Sequence, residues 1–113
     1  MTWADVSLRE FQVALASSAP TPGGGSAAGV ALGQAAALAV MVSDLTLGNE
    51  TLREGWAISE QVKAIAIPLL EEGLRLATED SEAFDRVVDS FKLPKDTDQL
   101  KSERRDAIRS ATL

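Results

Sequence analysis

The sequence predicts an all-α fold, an antiparallel helical bundle with one long kinked helix, which another subunit completes. Two observations predict it. Apolar residues recur at steps of three and four, and no segment alternates with the period of two expected of a strand. Apolar residues make up 45% of the chain but aromatic residues only 4%, and many are alanines. Such small side chains favour close helix packing but leave an isolated chain marginally stable. The length suits one domain over residues 1–113.

The first two helices are predicted from their capping residues. Ser7-Leu-Arg-Glu10 is a capping-box pattern, which predicts a helix that ends before Pro20. The residues expected on its buried face are Phe11, Ala14 and Leu15. Ser26 is a favourable N-cap, so a second helix is expected from there to about Leu47, before Gly48 and Asn49.

Two glycines four residues apart mark one face of the second helix. Gly29 and Gly33 let another helix backbone approach closely. We favour a packing seam inside the chain, and a contact between subunits is the alternative.

The third and fourth helices are predicted from a long apolar stripe and a proline stop. Thr51-Leu-Arg-Glu54 is a second capping box. Pro68 lies inside the segment that follows and should kink the helix or break it. A stop at Leu93-Pro94 precedes a last helix from about Thr97. The stripe contains Val62, Ile65, Leu69, Gly73, Leu76, Asp80, Phe84, Val87 and Phe91, and the last helix would bury Leu100, Ala107, Ile108 and Ala111.

Asp80 is the one carboxylate within this stripe, between Leu76 and Phe84. A carboxylate in an apolar seam loses hydration, which would raise its pKa towards the range useful for proton transfer. An N-cap role after a helix break is an equally good explanation. Asp85 lies at the edge of the same face, where a solvated surface carboxylate is the favoured interpretation.

Composition excludes several classes of function. The formal net charge of -6 argues against general nucleic-acid binding, which needs a basic surface. The chain contains no cysteine and no histidine, so acid–base chemistry would fall to carboxylates, lysines or hydroxyls. The most apolar run, residues 27–42, is short for a membrane span. A cytoplasmic location without membrane association is expected.

The segment PTPGGGS, residues 20–26, joins the first two helices. Its glycines precede a helix N-terminus, where free backbone N–H groups attract an anion or a carbonyl. It is neither a Walker A loop nor a dinucleotide-binding GxGxxG loop. A tight connection between helices is the alternative. Lys92 and Lys95 flank the turn at Leu93-Pro94 and are either ordinary surface lysines or a cationic rim for an anionic ligand.

Four motifs in order resemble the cyclodeaminase/cyclohydrolase family, which includes the C-terminal domain of formiminotransferase-cyclodeaminase. They are PTPGGGS, MVSDLTLG, DSEAFD and FKLPKDT. The resemblance implies an all-helical homodimer that acts on a folate without a metal or organic cofactor. The expected reactions are loss of ammonia from 5-formiminotetrahydrofolate, or reversible hydration of 5,10-methenyltetrahydrofolate to 10-formyltetrahydrofolate.

The resemblance also implies the site residues. Asp80 is expected to transfer the proton, with Asp85 nearby, and Lys92 and Lys95 to meet the glutamate tail of folate. The residues expected to line the folate pocket are Pro22, Gly23, Gly24, Gly25 and Ser26. A second hypothesis is a non-catalytic relative of this family that binds folate or only oligomerises.

Overall fold

The computed structural model describes residues 2–113, and within this range the regular structure is entirely helical. The all-α prediction is therefore confirmed. Short 3₁₀ turns at Trp3–Asp5 and Glu50–Gly55 accompany the α-helices. The α-helices are α1 (Leu8–Leu15), α2 (Gly24–Leu47), α3 (Trp56–Phe91) and α4 (Asp98–Thr112).

Two predicted helix starts are confirmed by their capping hydrogen bonds. The Ser7 hydroxyl accepts from the Glu10 backbone N–H at 3.0 Å and opens α1. The Thr97 hydroxyl accepts from the Leu100 N–H at 3.1 Å and opens α4. In each case a side-chain oxygen satisfies a backbone donor that has no acceptor within the helix.

Two other helix starts differ from the prediction. Helix α2 begins at Gly24 with Gly23 as its N-cap, so Ser26 lies inside the helix and is not its cap. Helix α3 begins at Trp56, because the residues of the second capping box form a 3₁₀ turn that Asn49 caps through the Thr51 N–H. No side chain caps α2, and the Ser26 hydroxyl donates to the Ala77 carbonyl of α3 instead.

Pro68 does not break α3, which runs through it for 36 residues. Of the two outcomes predicted at Pro68, the break is therefore wrong, and the kink remains a prediction. Proline removes one N–H donor, but on one side of it Ala66 is buried and shares a hollow with Ala36 of α2, and on the other the Leu70 carbonyl lies close to Gly33. Tertiary packing on both sides of the proline outweighs the loss of one backbone hydrogen bond.

Helices α2 and α3 pack as an antiparallel pair along a seam of small residues. A Cβ placed on Gly73 would lie 2.5 Å from the Gly29 carbonyl oxygen and 2.7 Å from the Gly33 nitrogen. Farther along, the Lys63 ammonium pairs with Asp44 at 2.7 Å. The favoured prediction of an internal seam at Gly29 and Gly33 is confirmed.

The described chain is elongated and has little interior. Its radius of gyration is 20.5 Å, against about 13 Å for a compact domain of this length. The extents are 73 × 28 × 17 Å. The buried apolar residues are Phe11, Ala36, Ala66 and Ala77. Closure into a bundle by another subunit remains a prediction, since the described residues form a helix pair flanked by two shorter helices.

The two shorter helices bury less than predicted. In α1 only Phe11 is buried, with its ring edge-on to Trp3 at 5.4 Å between centroids, while Leu15 is exposed. Helix α4 half-buries its predicted inner face. The Arg104 guanidinium lies over the Phe91 ring, 5.3 Å from its centroid, and joins α4 to the end of α3.

Helix α2 is long and apolar enough to cross a membrane by length and composition. A core helix of a soluble protein can have the same length and composition, so these properties alone do not indicate a membrane span. A helix that is apolar on all sides is normally buried on all sides, by protein or by lipid. Here α3 covers one side of α2, and much of the remainder is exposed.

Candidate functional site

The glycine loop and Asp80 lie together at the start of α2. They line an open cavity of about 480 Å³ between α2 and α3. Its lining is Gly25, Ala28, Gly29, Leu32, Leu76, Glu79 and Asp80. The cavity therefore combines apolar walls with two carboxylates beside a helix N-terminus.

Gly25 is in contact with the Asp80 carboxylate. A Cβ at position 25 would collide with the carboxylate carbon and both of its oxygens. The absent side chain is thus what lets the carboxylate lie against the first turn of α2. The backbone N–H groups of this turn have no acceptor within the helix, and they carry its positive dipole end.

Asp80 is not buried in this chain, contrary to the expectation of an apolar seam. Asp80 is exposed, and its neighbours Leu76 and Phe84 are 39% and 49% exposed. The predicted loss of hydration is therefore absent here. The N-cap interpretation is also wrong, because α3 continues without interruption through Asp80. Periodicity placed these residues on one apolar face, but no described residue covers the part of it around Leu76 and Phe84.

The predicted loop residues divide into accessible and buried groups. Gly24 and Gly25 are exposed and Gly23 is half-buried, so their backbones remain approachable. Pro22 is buried and follows a cis peptide bond from Thr21. Ser26 is completely buried, so its hydroxyl points towards α3 rather than into the cavity.

A hydrogen-bonded chain from Trp3 explains the burial of Ser26. The Trp3 indole N–H donates to the Ser81 hydroxyl at 2.9 Å, and the Ser26 and Ser81 hydroxyls lie 2.7 Å apart. The Ser26 hydroxyl donates to the Ala77 carbonyl at 2.6 Å. The Trp3 backbone N–H also donates to the Thr78 hydroxyl at 3.0 Å. Sequence reasoning missed Trp3, Thr78 and Ser81, although Ser81 belongs to the DSEAFD motif.

Asp85 holds the other end of the loop. Its carboxylate accepts a hydrogen bond from the Thr21 hydroxyl at 2.8 Å, although Asp85 itself is exposed. It does not line the cavity that contains Asp80. Asp85 therefore attaches the connection between α1 and α2 to α3.

Lys92 and Lys95 lie away from the cavity. Lys92 follows the last residue of α3, and both lysines are exposed. At 1.5 Å per residue, Lys92 is about 18 Å along the helix axis from Asp80. Neither lysine lines the cavity, so a contact with a ligand there would need an extended molecule.

The second carboxylate of the cavity is neutralised by a neighbour. Arg75 pairs with Glu79 at 2.7 Å and also with Glu72, which raises the pKa of the Arg75 guanidinium. The hydrogen bond from Arg75 lowers the pKa of Glu72. Asp80 has no such ion pair among residues 2–113. Its negative charge is thus the one in the cavity that a cationic ligand can engage.

An apolar surface continues from the cavity along the same side of the helix pair. A second hollow of about 310 Å³ shares Leu32 with the first. We call this surface the open face and define it by Leu32, Val62, Ile65, Leu69 and Leu76. Ile65 is 69% exposed. Asp80 therefore lies at one end of an uncovered apolar surface.

Comparisons with known proteins agree with the four motifs. Residues 7–113 match the model of the family described as formiminotransferase-cyclodeaminase. A methenyltetrahydrofolate cyclohydrolase of Methylorubrum extorquens is 39% identical over 109 residues, which cover 93% of this chain and 52% of that protein. The chain spans about half the length of this curated relative.

Proposed function

Because the chain belongs to the formiminotransferase-cyclodeaminase family, we propose that it acts on a tetrahydrofolate derivative. The reaction we propose is the reversible hydration of 5,10-methenyltetrahydrofolate to 10-formyltetrahydrofolate. The similar protein from Methylorubrum extorquens carries the name of this activity. That name favours hydration over the deamination of 5-formiminotetrahydrofolate.

The position of the Asp80 carboxylate is the observation that carries this proposal. It lies against the N-terminal turn of α2, in a cavity with apolar walls. The methenyl bridge of the substrate is an amidinium cation attached to a flat ring system. A carboxylate complements the cation, while apolar walls such as Leu32 and Leu76 suit the rings.

Asp80 would act as a general base in hydration. A water molecule between the carboxylate and the methenyl carbon loses a proton to Asp80 as its oxygen forms a bond to that carbon. The ring then opens as the bond from this carbon to N5 breaks: Asp80 passes its proton to N5, and the new hydroxyl releases its proton to solvent as it becomes the carbonyl of the formyl group on N10. In the reverse direction Asp80 returns the proton to the departing water. This route uses no metal or organic cofactor.

We propose a homodimer in which a second copy covers the open face. The face is apolar, and the alanines beside it allow two helices to approach closely. Cover over Leu76 and Phe84 would also remove water from around Asp80. The desolvation expected from the sequence would then arise on association rather than in the single chain. Cytoplasmic location remains a prediction beside this proposal.

Substitution of Asp80 by asparagine tests the catalytic role. Removing a general base typically lowers turnover by about 100-fold or more, so we expect Asp80→Asn to reduce kcat by at least this factor. The assay follows the loss of near-ultraviolet absorbance of 5,10-methenyltetrahydrofolate against the uncatalysed rate. Asp89→Asn is the matched control, because Asp89 is exposed on the same helix about 14 Å farther along.

A folded Asp80→Asn variant with full turnover would contradict the role of Asp80. A wild-type chain that accelerates neither hydration nor deamination of the formimino compound would contradict the enzymatic proposal as a whole.

A non-catalytic relative of the family is the second candidate. The exposure of Asp80 in the single chain favours it, because an open cavity does not exclude bulk water from the carboxylate as a closed reaction site would. This candidate predicts folate binding or self-association without turnover. Equilibrium dialysis with 5,10-methenyltetrahydrofolate beside the turnover assay separates the two.

A further inference from the structure

We propose that Trp3 is a positioning residue that fixes the first turn of α2 against Asp80. The proposal rests on the proposed function in one respect only, namely that Asp80 and Gly25 belong to the reaction site. Its physical basis is the hydrogen-bonded chain from Trp3 through Ser81 and Ser26 to the Ala77 carbonyl.

The direction of every hydrogen bond in this chain follows from the number of available protons. The Trp3 indole nitrogen only donates, so Ser81 accepts from it. The single proton of Ser26 goes to the Ala77 carbonyl, which only accepts. The Ser81 proton must therefore go to Ser26. All four groups are satisfied in a single arrangement, and each hydrogen bond polarises the next one.

This chain of bonds connects the two residues that flank the site. Ser26 directly follows Gly25, and Ser81 directly follows Asp80. A bond between the Ser26 and Ser81 hydroxyls therefore sets how the backbone at Gly25 meets the carboxylate at Asp80. Both serines are buried, so water cannot readily substitute for either partner.

Trp3 is the outer member that holds Ser81 in place. Its indole reaches Ser81, and its backbone N–H reaches Thr78 one turn earlier on α3. The edge-on contact with Phe11 fixes the ring itself. The N-terminal segment is thus attached to α3 directly beneath the Gly25–Asp80 contact, where a small displacement changes the geometry of the site.

Trp3→Phe tests the proposal, with Trp56→Phe as its matched control. Phenylalanine keeps a ring against Phe11 but lacks the indole donor. Trp56 also donates its indole N–H, to the Thr46 carbonyl at 2.9 Å, and it lies about 36 Å along α3 from Asp80. The two variants therefore lose the same kind of hydrogen bond at opposite ends of the helix pair.

Amide hydrogen exchange gives a measurement that needs no substrate. The Ala27 amide donates to the Gly23 carbonyl in the first turn of α2. We expect Trp3→Phe and Ser81→Ala to speed exchange at Ala27 and Ala28 about fivefold, and Trp56→Phe to leave it unchanged. In turnover, Trp3→Phe should lower kcat about fivefold to tenfold with little change in KM.

Unchanged exchange at Ala27 and Ala28 in both Trp3→Phe and Ser81→Ala would overturn the positioning role. So would an equal loss of kcat in Trp56→Phe, since the effect would then be one of general stability. A wild-type chain without turnover would refute the proposed enzymatic function, while the exchange rates would still decide whether Trp3 positions the turn.

Discussion

The two sides of the α2–α3 pair differ in what completes them. Along the seam, Gly29, Gly33 and Gly73 bring the two backbones into contact, and the chain itself supplies both partners. Along the open face, Leu32 and Ile65 are exposed, and no described residue covers them. The difference between the two sides shows that an apolar helix pair must satisfy two conditions. The helices must pack closely against each other, and their remaining apolar surface must be shielded from water. The described chain supplies the close neighbour, and in the proposed homodimer a second copy would supply the cover.

The largest expected effect comes from filling the seam. Gly73→Ala places a methyl group within 3 Å of two backbone atoms of α2, which cannot move aside as a flexible side chain can. We expect a loss of about 3 kcal/mol in the free energy of unfolding, measured by urea denaturation.

Gly24→Ala is the matched control for the seam. A Cβ at position 24 meets no atom within 4 Å, and alanine favours helix over glycine. Its stability should be unchanged or slightly higher. If Gly73→Ala were as stable as Gly24→Ala, the backbones would not be in contact and the distinction between the two sides would fail.

An intermediate effect is expected from a charge on the open face. Ile65→Lys should abolish self-association but keep the helical circular dichroism spectrum, because Ile65 is 69% exposed in the single chain. Sedimentation equilibrium measures the mass, which we expect to fall from that of a dimer to that of a monomer.

Ile67→Lys is the control for the face, since Ile67 is also exposed on α3 but lies outside the hollows of the open face. It should remain a dimer. A dimeric Ile65→Lys variant would mean that a different surface joins the subunits.

The smallest effect is expected at the ion pair between α2 and α3. The hydrogen bond that the Lys63 ammonium donates to the Asp44 carboxylate raises the pKa of Lys63. A raised pKa in the folded chain means that the pair stabilises below the ordinary lysine pKa of about 10.4, and that this contribution is lost as pH rises through the raised value. In the wild-type chain, Tm measured by thermal unfolding should fall slightly as pH rises through this range. The Lys63→Gln variant should not show this fall.

The ion pair between Lys63 and Asp44 is exposed, so its contribution to the free energy of unfolding is small, because solvent screens such interactions. Lys101→Gln, an exposed lysine on α4, provides the comparison and should retain the pH dependence of the wild type. If Lys63→Gln also retained it, the pair would contribute nothing measurable to the contact between the helices.

The sequence predicted local features of the fold better than contacts across the chain. Ser7 and Thr97 cap their helices as expected, because capping depends on residues within one turn. The break at Pro68 was wrong because the penalty of proline is local, while the packing that offsets it comes from α2. Helix propensity alone cannot decide whether the proline penalty or the packing energy is larger.

In the candidate site, too, contacts between distant parts of the chain were harder to predict than local features. The motifs brought Gly25 and Asp80 into one hypothesis, and the two residues are indeed in contact. Their catalytic role remains a prediction. The link through Trp3 was not predicted, because hydrogen bonds between residues 75 or more positions apart leave no periodic signal. The one signal in the sequence was that Ser26 and Ser81 each lie within a motif of the family.

The small thickness of the molecule affects the heat-capacity change on unfolding. A chain whose shortest extent is 17 Å hides little apolar surface from water. Heat capacity rises on unfolding in proportion to the apolar surface that becomes hydrated. The heat-capacity increment for unfolding a single chain is therefore small, and cover of the open face by a second copy, as proposed, would add a large share of the total. In the proposed homodimer, a good part of the thermal signature usually ascribed to a folded core would therefore come from the association of two chains.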